Sequence, residues 1–264
     1  MPRAKRRLGQ HFLTDPRILA RIADALEAGV NDTVLEIGPG RGGLTEALVG
    51  RAGRVVAIEK DRELIPLLRR EFPAAEIIEG DALELSWDQL VRPPFLVAGN
   101  IPYNITSPLL DKALGLPLPE RIVFLVQKEV ADRVIATAGT PEYGALTVGL
   151  QVAAETERLF TVPAGAFQPR PRVDSAVIRL TPRRDGPVPP QQQESFRTLV
   201  VGLFGFRRKQ MLRALRELTG WEPARAGSIL ESTSIPLTAR PEAVPPLRFV
   251  ALHRALVDAG WSAG

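Results

Sequence analysis

The segment Val34-Leu35-Glu36-Ile37-Gly38-Pro39-Gly40-Arg41-Gly42-Gly43-Leu44 constrains the fold more than any other part of the chain. An aliphatic run breaks into glycines and then into a helical pattern. Glycine permits a tight turn and lets a ligand approach the backbone. Free N–H groups at the start of the following helix favour polar or anionic ligand atoms. The flanking sequence supplies a sheet for this unit. Thr33–Ile37, Val55–Ile58, Glu76–Ile78, Phe95–Ala98 and Ile122–Val126 read as buried strands, and stretches near 43–50, 61–71, 106–115 and 127–137 read as helices between them. Continuous apolar strands with helices interposed predict an α/β fold with a mostly parallel sheet covered on both faces. Two later extended stretches, near 149–160 and 173–180, are expected to add antiparallel strands at its edge. Ahead of the sheet, Asp15-Pro16 reads as a helix start, with Gly29 as the stop.

Residues 182–193 carry four prolines and no apolar periodicity, so they read as a linker. Beyond it the pattern is helical throughout, about four short helices. The expected organisation is a sheet domain over 1–181 with a basic N-terminal arm, a linker over 182–193, and a small all-helical domain over 194–264. Composition removes several function classes. With no cysteine in 264 residues, a disulfide framework, a Cys-ligated metal and a thiol nucleophile are all excluded. The two histidines, His11 and His253, lie far apart, and no metal site is expected. Apolar runs fall far short of the ~18 residues a membrane span needs. The basic start has no apolar core behind it, and its polar run ends at Arg7; neither a secretory signal nor a removable leader is expected. A reducing cytoplasm fits these features.

The net charge of +4 is unevenly spread: +4 over residues 1–7, −5 over 8–182 and +5 over 183–264. Basic ends around an acidic middle suit a polyanion such as nucleic acid, or form a solvated surface; charge alone leaves both open.

Gly38, Gly40 and Gly43 satisfy the dinucleotide spacing G-x-G-x-x-G, so the turn by itself does not choose a cofactor. Glu59 ends the next strand, 21 positions after Gly38, where an acid reaches the ribose hydroxyls of an adenosine-containing cofactor. Two further acids lean away from nicotinamide: Glu36, two residues before Gly38, and Asp81 in Gly80-Asp81-Ala82. This ordered set resembles the S-adenosylmethionine (SAM) site of class I methyltransferases, in which the residue matching Asp81 meets the adenine amino group. A nicotinamide oxidoreductase shares the glycine spacing but lacks an evident acid or base for hydride transfer here.

At the end of the Phe95–Ala98 strand comes Gly99-Asn100-Ile101-Pro102-Tyr103-Asn104. Behind a SAM-type loop it resembles the Asn-x-Pro-Tyr/Phe motif of methyltransferases that act on amino groups of bases. The exocyclic amine of adenine is a poor nucleophile because its lone pair is delocalised into the ring. Oxygens from Asn100 and the Ile101 backbone would accept its two N–H groups and localise that pair. Pro102 stiffens the turn, and Tyr103 offers a flat face for an unstacked base. A second aromatic candidate, Phe167, opens Phe167-Gln168-Pro169-Arg170-Pro171-Arg172-Val173-Asp174-Ser175, where prolines frame Arg170 and Arg172 as phosphate contacts.

Taken together, Leu8–Leu13, Glu36–Thr45, Glu59, Gly80–Ala82, Asn100–Tyr103, Gln127–Ala131, Tyr143-Gly144-x-Leu146, Phe167–Ser175 and Phe206–Lys209 resemble the ribosomal RNA adenine N6-dimethyltransferase family. The resemblance implies a Rossmann-like methyltransferase domain and a helical RNA-binding domain. It implies transfer of two methyls to each of two adjacent adenosines in the 3′-terminal hairpin of 16S rRNA, on an immature small ribosomal subunit. No coiled-coil heptads are visible, and a monomer is expected. The cofactor set that the resemblance implies is Gln10, His11, Leu13, Gly38, Gly40, Glu59, Lys60, Asp81, Ala82 and Asn100. The catalytic set is Asn100, Ile101, Pro102, Tyr103 and Phe167. Arg170, Arg172, Arg207, Arg208, Lys209 and Arg213 would contact RNA, and Lys209, Arg213 and Arg216 are read as one face of a helix over 206–218. His11 stands where many members carry Asn. Enzymes that methylate large-subunit rRNA are close relatives; the proline-framed arginines and the Pro-rich linker resemble the small-subunit branch more. A non-catalytic assembly factor that keeps the fold only to bind nucleic acid is a further alternative.

Overall fold

The strand Thr33–Ile37 is buried on both faces: Val34, Leu35 and Glu36 are fully inaccessible and Ile37 nearly so. Such a strand has to lie inside a covered sheet, and the computed structural model, which describes Lys5 and residues 8–263, places it near the middle of one. In chain order the elements are β1 (Phe12–Leu13), α1 (Pro16–Ala25), β2 (Thr33–Ile37), α2 (Gly43–Val49), β3 (Arg54–Glu59), α3 (Ile65–Glu71), β4 (Ala75–Glu79), β5 (Leu96–Asn100), α4 (Thr106–Ala113), β6 (Arg121–Gln127), α5 (Lys128–Val134), α6 (Ala145–Ala153), β7 (Ala154–Val162), β8 (Phe167–Gln168) and β9 (Ser175–Pro182). Four α-helices follow: α7 (Gln193–Gly205), α8 (Met211–Thr219), α9 (Pro223–Ser232) and α10 (Pro246–Asp258).

The seven-stranded sheet runs β4-β3-β2-β5-β6-β9-β7. Its first five strands pair in parallel, and β9 is antiparallel to β6. The chain walks outward from β2 to β4 and then returns to lay β5 beside β2. The order therefore reverses between β2 and β5, and a crevice opens beyond their carboxyl ends, where α/β sheets bind ligands. At α1 the Asp15 carboxylate accepts the Arg17 N–H at 2.9 Å and Pro16 occupies the first turn, which together cap the helix start. The helix stops at Ala25, before the expected Gly29, because Glu27 turns left-handed.

The chain divides into two compact units, 1–131 with 156–182 and 132–155 with 183–264. This differs from a single cut at 182–193. Residues 132–155 pack into the core of the second unit through Tyr143, Val148 and Val152, beside Leu203, Leu215 and Phe249. The Tyr143 hydroxyl donates to the Val244 carbonyl at 2.7 Å, and Gly139 N–H to the Glu242 carbonyl. Val188 of the expected linker is buried in the same core. The stretch near 149–160 is helix as far as Ala153 and strand from Ala154. Of the basic arm, Arg3, Arg6 and Arg7 lie outside the described residues, while Lys5 is ion-paired with Asp61 and Glu63.

Candidate active site

The carboxyl ends of β2, β3, β4 and β5 and the N-terminal segment enclose a cavity of about 180 Å³. Gln10, His11, Leu13, Gly38, Gly40 and Glu59 line it, as do Lys60, Asp81, Ala82, Asn100, Ile101, Pro102 and Tyr103. Gly38, at the tip of β2, has φ +68°, a conformation L-residues avoid, and a Cβ there would meet only the Asn100 carbonyl, at 4.0 Å. A side chain would thus project into the gap between the loop and β5. At Gly42 a Cβ would strike the Phe72 ring at 1.9 Å, so this glycine lets α2 begin against α3.

The β3–β4 side of the cavity is lined by acids with fixed partners. Glu59 is buried; its two carboxylate oxygens accept Gly40 N–H at 2.9 Å and Asp61 N–H at 2.7 Å. Burial raises its pKa, and the two backbone donors oppose that rise. The loop and the second acid are therefore one bonded unit. Asp81 accepts Leu83 N–H at 2.9 Å on one oxygen and the Lys60 ammonium on the other. Burial acts to raise the Asp81 carboxyl, but Lys60 and Leu83 N–H outweigh it and hold it below the ordinary range. Gln10 is clamped at both ends, its oxygen by Lys5 N–H and its nitrogen to Asp61 at 3.1 Å.

Glu36 differs from both. It is fully buried in β2, and no hydrogen bond of sound geometry reaches either oxygen or the neighbouring Thr45 hydroxyl. Burial pushes its carboxyl up to about 8, helped by the charge of Glu59 and opposed by Thr45. It is a neutral acid at pH 7, lining the cavity with acceptor capacity unused.

On the β5 side, Asn100 Nδ2 donates to the His11 carbonyl at 2.8 Å, which leaves Oδ1 as the amide's acceptor. The Tyr103 hydroxyl lies 3.0 Å from Ser175 Oγ at the head of β9. Burial raises the Tyr103 pKa, so the ring is a neutral platform. The His11 ring stacks on it, centroids 5.6 Å apart and planes at 24°, and His11 Nδ1 sits 2.8 Å from the Pro169 carbonyl. His11 thereby ties Asn100, Tyr103 and the proline-framed loop together.

Phe167 is not among the lining residues. It is 5% exposed, pairs with Leu13 in the β1–β8 ladder and packs in the core with Phe12. Arg170 and Arg172 are exposed on the loop beyond it. In the second unit, Arg207 binds Glu242 and the Pro141 carbonyl, while Lys209 and Arg213 share Glu217 at 2.7 and 3.6 Å. The helix begins only at Met211, so Lys209 precedes it and the expected three-residue face is not a single helical stripe. Arg208 and Arg216 are exposed. Asp61 and Ser175 hold the site together without having been singled out by sequence. The acid pair Glu59-x-Asp61 at one strand end was a usable signal for the first; Ser175 stood in the quoted Phe167–Ser175 motif, with no role attached to it. Among the described residues no cluster of three His, Asp or Glu side chains is placed for a metal, and no helix is long and apolar enough to cross a membrane.

The sheet order and the crevice it opens are those of class I methyltransferases, and solved structures bear this out. A dimethyladenosine transferase from Plasmodium falciparum aligns with TM-score 0.80 at 26% identity, covering 95% of this chain and 98% of that one. The 23S rRNA methyltransferase ErmE aligns with TM-score 0.72 at 30% identity, covering 93% and 99%. The sequence pattern of the family described as ribosomal RNA adenine dimethylase matches residues 1–237, and the chain belongs to that family. Relatives called ribosomal RNA small subunit methyltransferase A include one from Geobacter metallireducens, 39% identical over 98% of this chain and 97% of its own. Another, from Thermosynechococcus vestitus, is 43% identical over 97% and 98%.

Proposed function

We propose that this enzyme transfers methyl groups from SAM to the N6 amines of two adjacent adenosines in the 3′-terminal hairpin of 16S rRNA, dimethylating each. The observation that carries the reading is the placement of Asn100 and Gly38 across one crevice, with acids for a nucleoside at the next two strand ends. Relatives named for the small subunit favour 16S over 23S rRNA as the substrate.

The residues fit the donor. Glu36 carries two buried oxygens without partners, which suits a ligand that brings its own donors. The open side of Gly38 leaves room for its chain. Glu59 would take the ribose and Asp81 with Ala82 the adenine. Gln10, His11, Leu13, Gly40 and Lys60 complete the walls. Bound SAM supplies an electrophilic methyl on a sulfonium.

The chain's own residues prepare the amine. Asn100 Oδ1, left as acceptor by the bond to His11, and the Ile101 carbonyl accept its two N–H groups and steer the lone pair toward the cleft. Pro102 fixes the turn and Tyr103 supports the unstacked base. Phe167, held in the β1–β8 ladder, would reach the base only on leaving that ladder. Arg170 and Arg172 in the first unit, and separately Arg207, Arg208, Lys209 and Arg213 in the second, contact RNA in a salt-sensitive way. The enzyme works in the cytoplasm as a monomer, without a metal, on immature small subunits.

The test is incubation with methyl-labelled SAM and unmodified small subunits, followed by nucleoside analysis, with large subunits in parallel. Label in N6,N6-dimethyladenosine of 16S rRNA is expected. Label confined to 23S rRNA, or none in adenosine, would overturn the reading.

A further inference from the structure

The turn that carries Asp81 is closed on its inner side by Asp81 itself. The Asp81 carboxylate accepts Leu83 N–H, and the Asp81 carbonyl accepts the N–H groups of Glu84 and Leu85 at 3.0 and 2.9 Å. Its outward carbonyls remain. The Ala82 carbonyl takes the Trp87 indole N–H at 3.0 Å. The Leu83 and Leu85 carbonyls both accept from one ammonium, Lys112 Nζ, at 2.8 and 2.7 Å. Lys112 reaches them from α4, the helix that follows the Asn100–Tyr103 element. Its ammonium also lies 5.7 Å from the Trp87 ring centre.

We infer that Lys112 is a positioning residue that sets selectivity for the adenine amino group of the donor by locking the Asp81 turn from outside. The inference rests on the proposed SAM reading and assigns this site a determinant away from the cavity wall. A charge-assisted bond to each of two carbonyls is stronger than a neutral one and leaves the turn little freedom to relax. The Asp81 carboxylate can then discriminate between a purine that offers an N–H pair and one that does not, because a relaxed turn would follow either ligand. Lys60 does not replace this function. Its side chain is 60% exposed and holds the Asp81 charge without touching the turn's carbonyls. Burial lowers the Lys112 pKa and the Asp81 charge opposes that shift, in keeping with an ammonium enclosed on this side of the turn.

The test measures binding of two thioethers by calorimetry: S-adenosylhomocysteine and its deamino analogue, in which hydrogen replaces the adenine amino group. The intact enzyme is expected to prefer the first by about tenfold, the worth of one hydrogen bond. In Lys112→Met that preference should collapse to near unity, through loss of S-adenosylhomocysteine affinity alone, with the analogue unchanged within about twofold. Lys112→Arg, which can span both carbonyls, should restore it. Equal weakening of both ligands would mean that Lys112 merely supports the fold, and an undiminished preference would mean that it does nothing to Asp81; either overturns the inference. If Lys112→Met lacks a cooperative melting transition, Lys112→Gln is judged by the same ratio. If the unaltered enzyme binds neither thioether, the donor-site reading itself fails, an outcome distinct from the others.

Discussion

On the β3–β4 side of the cavity, the two acids are held from within the β2–β4 segment: Glu59 by Asp61 and Gly40, Asp81 by Leu83 and Lys60, separations of 2 to 21 residues. Lys5 and Gln10 reach Asp61 instead. On the β5 side, Asn100 is held by His11 from 89 residues away, and Tyr103 by Ser175 from 72. In the first wall, Glu59 and Asp81 gain their partners once β2–β4 have paired. In the second, Asn100 and Tyr103 gain theirs only when the N-terminal segment and β9 have closed on them. Substitutions in the first wall should therefore act on donor binding, and those in the second on turnover.

Asn100→Ala is the strongest way to break that division. If Asn100 is the side-chain acceptor proposed for the amine, turnover should fall about 100-fold or more while donor affinity stays within about threefold. Parallel loss of donor affinity, read by calorimetry beside single-turnover methylation, would erase the distinction between the walls. Glu59→Ala is the converse. It strands the Gly40 and Asp61 N–H groups, and donor affinity should fall about tenfold to 100-fold with turnover at saturating donor kept within a few-fold.

Glu36 belongs to neither wall and sharpens the comparison through pH. Its carboxyl is held neutral up to about 8, against an ordinary value of 4.5 in the unfolded chain. Folding therefore takes up a proton between those values. The stability this group contributes is fully present below the lower value and is lost as pH rises to about 8. Glu36→Gln cannot titrate, so its melting temperature should gain on the unaltered protein from pH 5 to pH 8, by about 2–4 °C for each kcal/mol of difference. A pH-independent difference in melting temperature would contradict the assignment. The smallest effect is expected from Ser175→Ala, which removes the partner of the Tyr103 hydroxyl; turnover should drop a few-fold with donor affinity unchanged. Rescue by Ser175→Thr would tie the loss to the hydroxyl.

The same contrast explains what could be read from the sequence. The first wall was legible because its glycines and acids sit at strand ends a fixed distance apart, and the strands themselves are unbroken apolar runs. The residue types of the second wall were legible in Asn100–Tyr103 and in the Phe167–Ser175 motif, but not the bonds that join them, His11 to Asn100 and Ser175 to Tyr103. Lys112, a support of the first wall, looks ordinary until the fold brings the Asp81 turn near. Phe167 read as a cavity aromatic; a two-residue ladder with Leu13, too short to leave a periodic signal, buries it instead. The segment 145–153 read as partly extended because Val148, Leu150 and Val152 are apolar at every second position and all buried, which imitates a strand's two-residue period. Residues 132–155 belong with the C-terminal helices through packing distant in sequence, which local patterning does not register. The basic face at Lys209, Arg213 and Arg216 was a periodicity argument carried across a turn that ends at Gln210.

Donor and amine are proposed to meet in the crevice between β2 and β5. A crystal structure with S-adenosylhomocysteine tests this most directly. The adenine should lie against Asp81, the ribose at Glu59, and the thioether sulfur in the gap between Gly38 and Asn100. A ligand lying in the reverse sense, with its adenine at Asn100, or bound away from the carboxyl ends of these strands, would contradict it.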